Sequence, residues 1–123
     1  MTELALQAEL IYAMYKNGAT GLAFDPIVIS GPNTSLPHGV AGERVIQPGD
    51  FITMDFGAAW QGYCSDMTRT VAVGSASAEM RYVYSVVLEA QQTAIEATKA
   101  GLTGAEIDAI ARNVIAKAGY GGF

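Results

Sequence analysis

Apolar positions along this chain fall at helical intervals near both ends and in short unbroken runs between them. Leu4, Ala8, Ile11 and Tyr15 are spaced to share one helix face, Thr2 stands where an N-cap belongs, and Asn17-Gly18 supplies the stop. Ile27-Val28-Ile29 reads as a short buried-type strand. A stretch rich in breakers follows, from Ser30-Gly31-Pro32-Asn33 to Leu36-Pro37-His38-Gly39. Pro48-Gly49-Asp50 turns the chain into two apolar runs, 51–59 and 63–73, which read as a hairpin about Trp60-Gln61-Gly62. Beyond Gly74 helical spacing returns: Ser77 caps a helix in which Val83, Val87, Ala90 and Ala94 share a face, and Gly101 closes it. Thr103-Gly104-Ala105-Glu106 is a capping box that starts a last helix, apolar at Ile107, Ile110, Ala111, Val114 and Ile115 and stopped by Gly119. The predicted order is α-β-β-β-α-α. It gives an α+β fold, one domain over residues 1–123, with a small antiparallel sheet and helices packed on one face.

Composition narrows the partners. Hydrophobic residues make up 50% of the chain and charged residues 15%, against roughly 25% charged in ordinary soluble domains. That excludes disorder and predicts that part of the apolar surface belongs to a partner. The net charge is −5 and the seven basic residues are scattered, so nucleic acid and anionic membrane are excluded as partners. No apolar stretch reaches the ~18 residues of a membrane span, and Met1-Thr2-Glu3 does not begin a secretory signal. Cys64 is alone, which leaves no internal disulfide and reads as a small strand residue in a reducing compartment. A cytoplasmic protein is expected.

Two aspartates interrupt the strand runs. Asp55 lies in Phe51-Ile52-Thr53-Met54-Asp55-Phe56 and Asp66 in Tyr63-Cys64-Ser65-Asp66-Met67-Thr68, although aspartate is depleted in strands. With a two-residue loop at Trp60-Gln61, residues whose numbers sum to 121 lie opposite, as 55 and 66 do. Asp55 then faces Asp66 with Cβ atoms ~5 Å apart, and Thr53 faces Thr68. Two carboxylates so placed repel unless a cation neutralises them. A carboxylate bridging two ions roughly 3.5–4 Å apart is a recurring hydrolytic arrangement. Backbone capping, or a solvent-facing place at a sheet edge, explains the same residues, and a one-residue slip would put them on opposite faces. His38 is the sole histidine and sits in a loop, a position that suits a surface residue more readily than a functional one. Gly57, two residues past Asp55, marks either a close approach or turn geometry.

The segment 31–74 carries a more specific signal. Gly31-Pro32-Asn33, Leu36-Pro37-His38-Gly39, Gly49-Asp50, Met54-Asp55-Phe56-Gly57-Ala58 and Gly62-Tyr63-Cys64-Ser65-Asp66-Met67-Thr68-Arg69-Thr70 together resemble the pita-bread metallopeptidases. The likeness is greatest to the Xaa-Pro aminopeptidase and dipeptidase branch and weaker to methionine aminopeptidase, and it runs over the whole chain. It implies half of a pita-bread fold. It also implies that Asp55 binds one metal, that Asp66 bridges two, and that His38 contacts a peptide substrate near the scissile bond. Mn²⁺ or Co²⁺ would suit such carboxylate-rich sites, with Zn²⁺ and Fe²⁺ as the other candidates.

The same resemblance implies that these residues are the N-terminal half of a catalytic domain. A histidine and two glutamates, one of them the general acid/base, would stand in a complementary C-terminal half. Glu79, Glu89, Glu96 and Glu106 fall in helical segments and cannot replace them. Two readings follow. One is a half-domain of a two-metal aminopeptidase that keeps two Asp ligands, associates as a homodimer or with its complementary half, and is inactive or weakly active alone. The other is a non-enzymatic, self-assembling structural module built from a pita-bread half.

Overall fold

The computed structural model describes residues 1–122. The chain forms two compact units, Met1–Ala76 and Ser77–Phe123. The first contains helix α1 (Glu3–Lys16), strands β1 (Gly21–Leu22) and β2 (Ile27–Ser30), and a 3-10 turn (Gly31–Ser35). Strands β3 (Phe51–Phe56), β4 (Ala58–Trp60), β5 (Tyr63–Cys64) and β6 (Met67–Ala72) complete it. The second contains α2 (Ala78–Ala97) and α3 (Gly104–Lys117).

Local chemistry explains where α1 begins and ends. The Thr2 hydroxyl accepts a hydrogen bond from the Ala5 N–H at 3.2 Å. At the other end Gly18, at φ 99°, lets its own N–H reach the Tyr15 carbonyl and the Ala19 N–H reach that of Met14, closing a Schellman motif. The inward face differs from the expected one. Leu4, Ala8 and Tyr15 are exposed, while Glu3 is buried and Leu6, Leu10 and Met14 are partly buried. Both stripes satisfy helical spacing, and the anchored Glu3 side chain turns the helix by about one residue, ~100°.

Two three-stranded antiparallel sheets replace the single hairpin sheet expected, in the orders β1-β4-β5 and β2-β3-β6. Each apolar run is broken into two strands, at Gly57 and at Ser65-Asp66. On one face of β2-β3-β6, Val28 and Ile52 join Ala41 in a buried cluster on which Leu6 and Leu10 of α1 pack, with Ile46, Met54 and Val73 around it. The opposite face carries Ile27, Ile29, Thr53 and Asp55, because paired residues share a face and faces alternate along a strand.

In the second unit α2 and α3 pack on each other. Ser77 caps α2 as expected, but the buried residues are Val86 and Ala90, and Val87 is 52% exposed. The helix also stops at Ala97, and Gly101, at φ 96°, serves the turn between the helices. The capping box of α3 is present, with Thr103 and Glu106 bonded in both directions. All five apolar positions expected on its inner face are partly buried. Gly119 ends the helix at φ 90°, with the Gly119 and Tyr120 N–H groups bonded to the Ala116 and Ile115 carbonyls. Among the described residues no helix is long and apolar enough to cross a membrane.

Candidate functional site

The hairpin turns one residue later than its sequence was read. Trp60 pairs with Tyr63 and Ala59 with Cys64, so the two-residue loop is Gln61-Gly62. Both loop residues have positive φ, 48° and 82°, which a right-twisted two-residue hairpin loop requires and which glycine permits at no steric cost. Opposite residues therefore sum to 123: Asp55 faces Thr68 and Thr53 faces Thr70. Asp55 does not face Asp66. The correction is a shift of two. Asp66 stands two residues before Thr68, in the break between β5 and β6 and outside both ladders.

Asp55 is half-buried and Asp66 exposed. The Thr68 hydroxyl donates to Asp55 Oδ1 at 3.1 Å, and the Thr53 and Thr70 hydroxyls meet on the same face at 3.2 Å. Arg69, the nearest cation in sequence, donates to the Thr68 carbonyl. Arg44 pairs with Asp50 and Arg112 with Asp108, and among the described residues no side-chain cation pairs with Asp55 or Asp66. Among the same residues no group of three or more His, Cys, Asp or Glu side chains could hold a metal. Cys64 is free and exposed. Thr68, expected opposite Thr53, instead orients Asp55; the Gln61-Gly62 dipeptide is the sequence signal for that register.

Gly57 separates the two aspartates along the hairpin. It is buried, and a Cβ added there would lie 2.0 Å from the Ser65 carbonyl oxygen and 2.8 Å from Phe24 Cε1. Ser65 fastens the same spot from across the hairpin: its N–H donates to the Ala58 carbonyl, and its Oγ accepts the Ala58 N–H at 3.0 Å. Turn or bulge geometry is the commoner reason for a strand glycine, but at Gly57 the reason is close approach of the Ser65 backbone.

His38 is exposed and its side chain makes no hydrogen bond among the described residues. Its loop nevertheless has a defined place. A Cβ on Gly39 would lie 3.1 Å from Ile29 Cδ1 and Cγ2, so the backbone beside His38 rests on Ile29, which is 2% exposed. Ile29 pairs with Thr53, two pairs along from Ile27 and Asp55 and so on the same face. The histidine loop thus covers the face of the sheet that bears Asp55. His38 also edges a groove of about 420 Å³ floored by Ile11, Leu22, Pro26 and Ile27, with Gln7 and Asp25 on its walls.

A polar network missed in the sequence holds the two ends of that loop. Glu3 is fully buried. Its carboxylate accepts from the Ser30 N–H at 2.7 Å, Ser30 Oγ at 2.8 Å, Asn33 Nδ2 at 3.1 Å and the Gly42 N–H at 3.1 Å. Arg44 donates to Ser30 Oγ at 2.6 Å and to both oxygens of Asp50, at 2.6 and 3.1 Å. Burial alone pushes the Glu3 carboxyl up. The hydrogen bonds from Ser30, Gly42 and Asn33 outweigh it and hold the group below its ordinary value of 4.5. Asp50 is held below 3.8 by Arg44 and the Gln47 N–H. A depressed carboxylate stabilises the fold above its unfolded pKa, and that stability is lost as pH falls toward the folded value. The melting temperature is therefore expected to drop as pH falls through and below 4.5. Calorimetry across that range should give a flatter curve for Glu3→Gln; an equally steep one would exclude Glu3 as the source. In sequence Glu3 is indistinguishable from an ordinary first-turn acid.

Comparison with known proteins adds the context. The sequence model of metallopeptidase family M24 matches residues 1–123. A peptidase of Bacillus subtilis described as the uncharacterized peptidase YqhT is 48% identical over 123 residues, which is all of this chain and 35% of that protein. An Xaa-Pro dipeptidase of Pyrococcus horikoshii is 48% identical over 119 residues, covering 97% of this chain and 34% of its own length. Among solved structures, X-Pro aminopeptidase from Thermotoga maritima superimposes with a TM-score of 0.97 at 50% identity, over 100% of this chain and 35% of that one. The chain thus spans about a third of the length of the proteins it matches.

Proposed function

The chain belongs to metallopeptidase family M24, and from that premise we propose that it forms one half of the two-metal site of an Xaa-Pro aminopeptidase or dipeptidase. The fold is half of a pita-bread domain, matched over its full extent by X-Pro aminopeptidase and by the prolidase of Pyrococcus furiosus. One observation carries the functional reading. Asp55 and the His38 loop lie on one face of β2-β3-β6, with Asp66 at the break in the hairpin beside it.

In this reading Asp55 and Asp66 would together hold the divalent cations. Mn²⁺ or Co²⁺ are favoured over Zn²⁺ and Fe²⁺ by an all-carboxylate contribution. The residues fit such ions. Both carboxylates lack a neutralising side chain, and Thr68 orients Asp55 as outer-shell donors orient metal ligands. Bound there, the ions would supply Lewis-acid polarisation and an activated water. The chain's own groups do the rest: Thr68 fixes the Asp55 carboxylate, and His38 contacts the peptide near the scissile bond from above the same face. The remaining histidine and two glutamates belong to a complementary half. Strand β6 offers the edge for it, being the outer strand of its sheet, exposed at every residue but Thr70, with Arg69 its one charge. A second copy of this chain can occupy that edge when no complementary half is supplied.

Calorimetric titration with Mn²⁺ tests the metal assignment. Weak binding is expected, well below a complete site because ligand number and charge set affinity, and it should disappear in the Asp55→Asn/Asp66→Asn double variant. Binding that survives unchanged in that variant would place the metal elsewhere. Retention of both aspartates also weighs against the purely structural module.

A further inference from the structure

His38 owes its place to its backbone, since its imidazole is exposed and makes no hydrogen bond among the described residues. That backbone is a loop whose two ends meet at one carboxylate. On the leading side Glu3 accepts from the Ser30 N–H, Ser30 Oγ and Asn33 Nδ2; on the trailing side it accepts from the Gly42 N–H. The helix backbone reinforces the closure, because the Glu3 N–H donates to the Arg44 carbonyl at 3.1 Å and the Leu4 N–H to that of Gly42 at 3.2 Å. Between these fastenings the loop has one 3-10 turn with the Thr34 and Ser35 hydroxyls bonded back to Gly31 and Pro32, the Gly39–Leu36 backbone bond at 3.1 Å and the Gly39 contact with Ile29, while Ala41 at its trailing end packs in the core cluster with Val28 and Ile52.

We propose that Glu3 is a positioning residue for His38: its buried carboxylate closes the loop 31–41 and thereby fixes the imidazole over the Asp55 face of the sheet. The proposal rests on the reading of His38, Asp55 and Asp66 as one site. Its chemistry requires an ionised carboxylate. Four donors converge on two oxygens, and a carboxylate is acceptor-only, with about four lone-pair sites. An amide of the same shape has one acceptor oxygen and turns an NH₂ group toward donors, leaving buried N–H groups of the loop unpaired. Glu3 lies at the start of α1 on the Val28 face of the sheet, and Gly39 lies on the Ile29 face. The loop therefore wraps the β2 edge, and loosening its anchor on one face moves the histidine on the other.

The test uses Mn²⁺ as a paramagnetic probe in proton NMR of the full chain. His38 is the sole histidine, so its ring signals are assigned without ambiguity. In the parent, substoichiometric Mn²⁺ is expected to broaden the His38 ring signals together with the Thr68 amide. In Glu3→Gln the His38 broadening should fall several-fold while that of Thr68 persists, because the metal stays and the imidazole moves away. Equal broadening of His38 in parent and variant would overturn the role of Glu3 and leave the site reading standing. A parent in which Thr68 broadens and His38 does not, or in which neither does, would overturn the shared site and the proposal with it. Should Glu3→Gln not fold, Asn33→Ala removes a single donor from the same carboxylate and is expected to shift the His38 broadening in the same direction by less. No shift there would count against the proposal.

Discussion

Gly57→Ala is expected to destabilise the protein by about 3 kcal/mol or more, the upper end of the cost of overpacking a tight site, and to weaken Mn²⁺ binding with it. The obstacle is a backbone atom. The new methyl would sit 2.0 Å from the Ser65 carbonyl oxygen, with Phe24 and Ala23 closing in at 2.8 and 2.9 Å. A flexible side chain could swing away, but relieving Ser65 means parting the two strands between Asp55 and Asp66. The Ser65 bonds to Ala58 lie at that point, so the pairing of β4 with β5 and the spacing of the aspartates should fail together. Gly62→Ala is the matched control. Gly62 has φ 82° but open space around its Cα, so only the left-handed backbone penalty applies, about 1–2 kcal/mol, and metal binding should be unaffected. Chemical unfolding and Mn²⁺ calorimetry of both variants give the comparison. Equal behaviour of the two glycines would mean that the close approach at Gly57 has no bearing on the site.

That glycine also shows how far the sequence could be read. Helix starts were legible because each rests on a local contact: Thr2, Ser77 and Thr103 accept from N–H groups three residues on. Helix faces were less so. In α1, Leu4 and Leu6 both lie on stripes with helical spacing, and only the burial of Glu3 by partners 27 to 39 residues away decides between them. The hairpin is legible but its register is not, because the sequence around Trp60-Gln61-Gly62 admits two adjacent loops and only Gln61-Gly62 supplies the two positive φ angles. The shift of two exchanges Asp66 for Thr68 as the partner of Asp55 and leaves Asp66 in the break between β5 and β6. The aspartates and His38 were visible as residues out of place in apolar or breaker-rich surroundings. The Glu3–Ser30–Asn33–Gly42 cluster was not, since it is assembled from three separate stretches of chain and each of its members is ordinary in its own.

The remaining large effect concerns turnover. These 123 residues, supplied with Mn²⁺, are expected to cleave an Xaa-Pro dipeptide at least ~10²–10⁴-fold more slowly than a full-length relative measured alongside, the range a positioned general acid or base contributes. Four of the described carboxylates are committed elsewhere. Glu3 is buried and bonded by its four donors, Asp50 is paired with Arg44, Asp108 is paired with Arg112, and Glu106 caps α3 through Thr103. None of these four is free to take the proton of an attacking water. Association does not mend this. A symmetric dimer through the exposed edge of β6 would duplicate Asp55, Asp66 and His38 and add no other side-chain type, because a two-fold interface presents the same residues twice. Four carboxylates in one cleft would bind cations more tightly and repel one another without them. Sedimentation at micromolar concentration should accordingly show a dimer that Mn²⁺ strengthens and a chelator weakens. Turnover should stay near background until a segment bearing the missing histidine and glutamates is added. A persistent monomer would refute the edge pairing. Metal-dependent cleavage by the chain alone, abolished by Asp55→Ala, would show that a base resides within these residues after all.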